Sequence, residues 1–154
     1  MEQQAEARRV VQAALTERGY AVLATTAEGQ PHANLMAFAA RDDGRELVFA
    51  MYRGTRKFRN IAANARVAVV IDHEQSQWLR APRHIALTAL GAAYELEGEA
   101  RTAALRDYLG CHPDLQALLA DPACALVGVA VEGYQVASGI DEVRWCPAAD
   151  LDAN

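Results

Sequence analysis

Several things that would fix a function at once are missing from this sequence. No uncharged apolar run among its 154 residues approaches the ~20 needed to span a bilayer. The start, Met1-Glu2-Gln3-Gln4, lacks the basic residues and apolar stretch of a secretion signal. Cations are outnumbered, 15 Lys and Arg against 20 Asp and Glu, and the formal charge of −5 argues against nucleic acid or anionic lipid as a general partner. These absences point to a cytoplasmic protein with no membrane and no nucleic-acid partner. The three cysteines, Cys111, Cys124 and Cys146, include no C-x-x-C pair and read as reduced, partly buried thiols. His32, His73, His84 and His112 have no H-x-x-H or H-x-x-x-H spacing, so no metal site is expected. Serine occurs only at Ser76 and Ser138, neither within G-x-S-x-G, which sets aside a nucleophile-elbow hydrolase. Neither G-x-x-x-x-G-K-[ST] nor G-x-G-x-x-G occurs.

What is present is a globular composition: 52% hydrophobic and 23% charged, with no repeat, low-complexity tract or linker. One domain over residues 1–154 fits that length. Ala7, Val10, Val11, Ala14 and Leu15 recur at helical spacing in residues 2–18, and Gly19 follows as a stop. Short turns at 27–30 and 41–44 separate three expected strands at 20–26, 31–40 and 45–51, which must therefore run antiparallel. A second helix is expected over 55–64, capped by Thr55, with Phe58, Ile61, Ala62 and Ala65 on its apolar face. A strand at 66–72, a polar loop at 73–84 and a long strand at 85–98 follow. Gly91 within that long strand marks a bulge or a close backbone approach. A helix at 99–109 stopped by Gly110, a short helix opened by Pro113, strands at 126–137 and 142–146, and a frayed tail at 147–154 complete the order. The class is α+β, mainly β. Six or seven antiparallel strands in so short a chain close best into a small barrel with peripheral helices, which removes exposed edges. An open sheet covered by helices is the alternative.

One segment is physically odd. Tyr52-Arg53-Gly54-Thr55-Arg56-Lys57-Phe58-Arg59-Asn60 sets cations around a helix start, where the macrodipole is already positive. Arg56 and Lys57 should each cost about 0.3–1 kcal/mol there. A bound anion would resolve the conflict: free backbone N–H groups, the Thr55 hydroxyl, Arg56 and Lys57 together suit a phosphate. A solvated basic face is the plain alternative.

Four stretches carry a family likeness. They are Leu23-Ala24-Thr25-Thr26 turning into Pro31-His32-Ala33-Asn34; Leu47-Val48-Phe49-Ala50-Met51 running into Thr55-Arg56-Lys57-Phe58; Asn64-Ala65-Arg66-Val67-Ala68-Val69-Val70-Ile71; and Leu90-Gly91-Ala92-Ala93-Tyr94. In this order the chain resembles the pyridoxamine 5′-phosphate oxidase-like flavoproteins, an FMN-binding split β-barrel family. The resemblance covers residues 5–100 well and the rest in element order. It implies an FMN phosphate held by Arg56 and Lys57, and a flavin ring edge against Asn34, Leu35, Met36 and Ala37, with Ala50 and Met51 on the neighbouring strand. It also implies a homodimer with flavin at the interface and an oxidoreductase acting on a small organic substrate. The chain departs from the true oxidase: Asn34 and Ala39 stand where that enzyme has Arg and Lys, only His84 lies near its strand Gln, and Arg144-Trp145-Cys146-Pro147 offers one cation where it has a basic pair. Oxidation of a vitamin B6 phosphate is therefore not expected. A flavin-binding or electron-transfer protein without turnover, a haem-handling relative and a deazaflavin in place of FMN are the other readings. No catalytic residue is assigned.

Overall fold

The computed structural model describes residues 1–17, 19–75, 83–138 and 142–152. Helix α1 spans Glu2–Glu17 and buries Ala7, Val10, Val11 and Ala14, the face its spacing predicts. Strands β1 (Tyr20–Ala27) and β2 (Gln30–Ala37) form a hairpin whose turn places Glu28 and Gly29 at φ of 52° and 78°, the positive pair a two-residue hairpin turn requires. Strand β3 (Ala39–Arg41), β4 (Glu46–Tyr52), helix α2 (Arg56–Ala63), β5 (Arg66–Gln75) and β6 (Arg83–Glu95) follow. Helices α3 (Gly98–Cys111) and α4 (Gln116–Ala120) lead into β7 (Cys124–Ser138) and β8 (Glu142–Pro147).

All eight strands belong to one antiparallel sheet in the order β2-β1-β5-β6-β7-β4-β3, with β8 on β7. Only Phe38 separates β2 from β3, yet they lie at opposite ends of that path. The sheet must curl until its ends meet, which makes the fold a split barrel. Its interior holds Leu23, Phe49, Val69, Ile71, Leu87, Val127 and Tyr134, and α1 packs into the same core. Each such side chain contributes roughly 1.5–3 kcal/mol relative to exposure. A second cluster lies on the other side of β4, where Val48, Ala50 and Leu126 meet Ala104, Tyr108 and Leu119. Strand β4 is buried on both faces, which is why it reads as a continuous apolar run.

Four expectations need correction. The expected strand at 31–40 is two strands, because the ladder partner changes from β1 to β4 at Phe38. The expected loop at 73–84 is shorter: β5 runs on through Gln75 and β6 begins at Arg83, with residues 76–82 outside the described set. Gly110 does not stop α3, which continues to Cys111. The tail is not frayed through residue 152. Leu151 is buried, its carbonyl accepts from Gln12 Nε2 at 3.0 Å, and Asp152 pairs with Arg45 at 2.8 Å. The turn expected at 138–141 lies partly outside the described residues. Gly91 fulfils both of its expectations: the β6–β7 register shifts between Leu90 and Gly91, and a Cβ on Gly91 would run into the Ala130 carbonyl.

Candidate functional site

The split has a definite position. Among the described residues, strand β2 pairs with β1 along one edge and with no strand along the other. Strand β3 covers β4 only from Glu46 to Val48, so beyond Val48 no described strand pairs with the same edge of β4. Strands β2 and β4 come into contact, so their two unpaired stretches belong to neighbouring strands. Free N–H and C=O groups on such edges are a template for a hydrogen-bonding partner. Here they suit the polar rim of a flat heteroaromatic ring.

Alternation along β2 sorts its side chains. His32, Asn34 and Met36 lie opposite Thr25, Leu23 and Ala21, which are buried, while Leu35 lies opposite Val22 and is 74% exposed. Met36 packs against the core. The Asn34 amide oxygen is buried and has no partner, a debt that a donor from a ligand would settle. On β4 the Met51 side chain enters the barrel core and Ala50 enters the second cluster, so these two residues can meet a ligand only through their backbone edge. Cys124, opposite Tyr52 on β7, is buried, and desolvation pushes its thiol up.

The chain leaves β4 at Tyr52 and enters α2. The Thr55 hydroxyl caps the helix, accepting from Phe58 N–H at 3.4 Å and donating to the Tyr52 carbonyl at 2.7 Å. Both of its roles are filled and the Phe58 and Arg59 N–H groups bond Thr55, so an anion here depends on the side chains and backbone N–H groups of Arg56 and Lys57. Arg41, Arg53, Arg66 and Arg144 each hold a carboxylate, whereas Arg56 and Lys57 hold none among the described residues, and α2 has no acid in its first turn. The helix is tied to the sheet by a buried bond, Asn60 Nδ2 to Thr25 Oγ1 at 3.0 Å.

Strand β2 and strand β4 thus lie in contact, and the cationic helix start follows the end of β4 in the chain. The Leu35 and Ala37 side chains point to the outer face, Leu35 exposed and Ala37 packed against the second cluster. There a transverse row of paired residues, Leu35, Val22, Val70, Thr88, Gln135 and Trp145, crosses six strands without a charge. Val70, Leu90, Val143 and Trp145 are all exposed on strands of this sheet. Sequence reasoning passed over Asn60 and Thr25, whose pairing depends on two elements meeting, and over His32, which the period-2 alternation places beside Asn34. No group of three or more His, Cys, Asp or Glu side chains that could hold a metal ion occurs among the described residues.

Unpaired strand edges, an orphaned amide oxygen and cations at a helix start that hold no carboxylate among the described residues can receive a ligand with hydrogen-bonding groups and an anion. Comparisons with known proteins give the family and the fold. The pyridoxamine 5′-phosphate oxidase family model matches residues 7–132. No curated protein matches the chain. A haem-binding protein from Mycobacterium smegmatis superposes with a TM-score of 0.81 at 18% identity, over 94% of this chain and 59% of that one. An Agrobacterium tumefaciens protein of unknown function gives 0.78 at 25% identity, over 97% and 61%. An FAD-binding protein from Mesorhizobium loti gives 0.66 at 21%, over 86% and 94%. The chain spans roughly three-fifths of the length of the first two.

Proposed function

The chain belongs to the pyridoxamine 5′-phosphate oxidase family, and on that premise we propose that it binds FMN in the split between β2 and β4 as a two-fold dimer and serves as an oxidoreductase for a small organic substrate. The observation that carries this reading is that two strand edges in contact, unpaired among the described residues, lead to Arg56 and Lys57, cations at a helix start that hold no carboxylate among those residues. Bound FMN supplies the electron-transfer chemistry. The protein's part is to hold the phosphate at Arg56 and Lys57, to meet the ring rim with the β2 and β4 edges and Asn34, and to shield one side with Met36. The uncharged row on the outer face supports the dimer, since it offers a second copy a band of apolar surface running across six strands.

The test is the visible spectrum of the purified protein, followed by mass analysis of the released chromophore. A flavin spectrum and the mass of FMN are expected. A Soret band with the mass of a haem overturns the reading, and so does a colourless protein that fails to bind added FMN. A flavin carrier without turnover is the second reading, favoured by the side chains that β2 offers to the site: an amide, a thioether and His32, with no carboxylate among them.

The substrate should be neutral or weakly charged. A substrate phosphate needs its own cations, because burying such charge unpaired is very costly. Ala39 stands where the true oxidase has a cation, and its side chain is buried in the second cluster. Arg144 is paired with Glu6 at 3.5 Å on α1. Steady-state assays of FMN-loaded protein with pyridoxamine 5′-phosphate and oxygen should therefore give turnover at background. Robust turnover with a micromolar KM would show that these basic residues are misassigned.

A further inference from the structure

The vertex of the split is the joint at Phe38, where the chain leaves β1 and joins β4. A joint between two ladders strands its backbone groups, and each must find another partner. Phe38 N–H donates to the Gly19 carbonyl at 2.9 Å and so extends the β1–β2 ladder by one bond. The carbonyls are held from a different part of the chain. His112 Nε2 lies 2.8 Å from the Phe38 oxygen, and the Tyr108 hydroxyl donates to the Ala37 oxygen at 3.3 Å. A carbonyl can only accept, so Nε2 carries the proton and the tautomer is fixed. The His112 ring is buried, 5.2 Å from the Tyr108 ring and 6.0 Å from the Tyr20 ring. Gly19 completes the nest, for a Cβ there would stand 3.3 Å from His112 Cε1. Burial pushes the Tyr108 hydroxyl up to about 12, so it remains a donor throughout the neutral range.

We propose that His112, assisted by Tyr108, is a positioning residue that fixes the point at which β2 leaves β1 and thereby sets the aperture of the cofactor split. The two side chains come from α3 and the residue after it, an excursion between β6 and β7 that packs against Ala37 and Ala50 in the second cluster. They grip the residues directly after Asn34, Leu35 and Met36. Releasing the Phe38 carbonyl frees the Ala37 end of β2, whose other edge has no strand to hold it among the described residues. The inference rests on the flavin reading for its effect on affinity, and stands on protein geometry alone for its effect on β2.

The experiment compares wild type with His112→Leu, which removes the donor, His112→Gln, which returns an N–H at similar reach, and Tyr108→Phe. Amide hydrogen exchange at Phe38 and along β2 is read against Val69 and Leu87 in the core, and FMN itself is titrated by fluorescence. In His112→Leu, exchange at Phe38 should quicken about tenfold while Val69 and Leu87 stay protected, and the FMN Kd should rise about tenfold, the equivalent of losing one buried bond of about 1.4 kcal/mol. His112→Gln should restore most of both. Tyr108→Phe should move both in the same direction by less, and decides the matter if His112→Leu does not fold. Unchanged exchange at Phe38, uniform loss of protection across the sheet, or no rescue by Gln overturns the proposal. Failure of the wild type to bind FMN overturns the flavin reading and the predicted affinity change, while the exchange data still decide the clamp.

Discussion

Replacing Arg56 and Lys57 together by Ala is expected to weaken FMN binding at least about a hundredfold and to leave the barrel folded. Each charge-assisted contact to a phosphate contributes roughly 1.5–3 kcal/mol, and two of them exceed the ~2.7 kcal/mol that corresponds to a hundredfold change. The structure gives a reason to expect no loss of stability. Neither side chain holds a carboxylate among the described residues, and both sit at the positive end of α2. Removing two cations from that end should gain about 0.3–1 kcal/mol each in the absence of ligand, and Ala favours helix. The apo double variant should therefore unfold at the same temperature as wild type or slightly above it, whereas the wild type should be the more stable at saturating FMN. Fluorescence titration and thermal unfolding with and without FMN check both halves. Unchanged affinity in a folded double variant would remove the phosphate from this helix and leave a solvated basic face as the explanation of these residues.

The second large effect concerns assembly. The outer face carries Leu35 at 74%, Val143 at 53% and Trp145 at 44% exposure, with Val70 and Leu90 between them. A row of cross-strand partners from Leu35 to Trp145 contains no charge. Trp145 lies flat over Gly133, where a side chain would collide with its indole ring, so the aromatic adds breadth with little relief. An apolar area of this kind is covered in a stable assembly, and a two-fold partner offers the same patch in return. Light scattering at micromolar concentration should give twice the mass of one chain. Val70→Glu places a charge at the middle of the row and, by symmetry, two charges in the interface. With an uncompensated buried charge costing several kcal/mol, dissociation should rise by more than about a hundredfold while the far-ultraviolet circular dichroism stays that of the wild type. A wild-type mass near one chain with FMN bound would refute the dimer.

The sequence by itself determined most of the local structure. Helix α1, the β1–β2 hairpin, the Thr55 cap and the bulge at Gly91 follow from spacing, turn chemistry and glycine geometry, all of which act over a few residues. The cations at the start of α2 were conspicuous for the same reason, because the conflict with the helix dipole is local. What only the tertiary structure decided is everything that depends on two distant segments meeting. Residues 31–40 look like one strand because both halves have the same apolar character, and nothing in them reveals that the ladder partner changes at Phe38. Ala50 and Met51 read as ring neighbours, but β4 is buried on both faces and turns those side chains into two separate clusters, leaving its edge to the split. The tail looked frayed from its polar composition, yet Leu151 finds a place in the core beside α1. His112 looked like an isolated histidine until the fold brought it 74 residues back along the chain to the Phe38 carbonyl. Hydrogen bonds at a joint between ladders are set by which carbonyls the sheet leaves unpaired, and that is a property of the split barrel rather than of any segment within it.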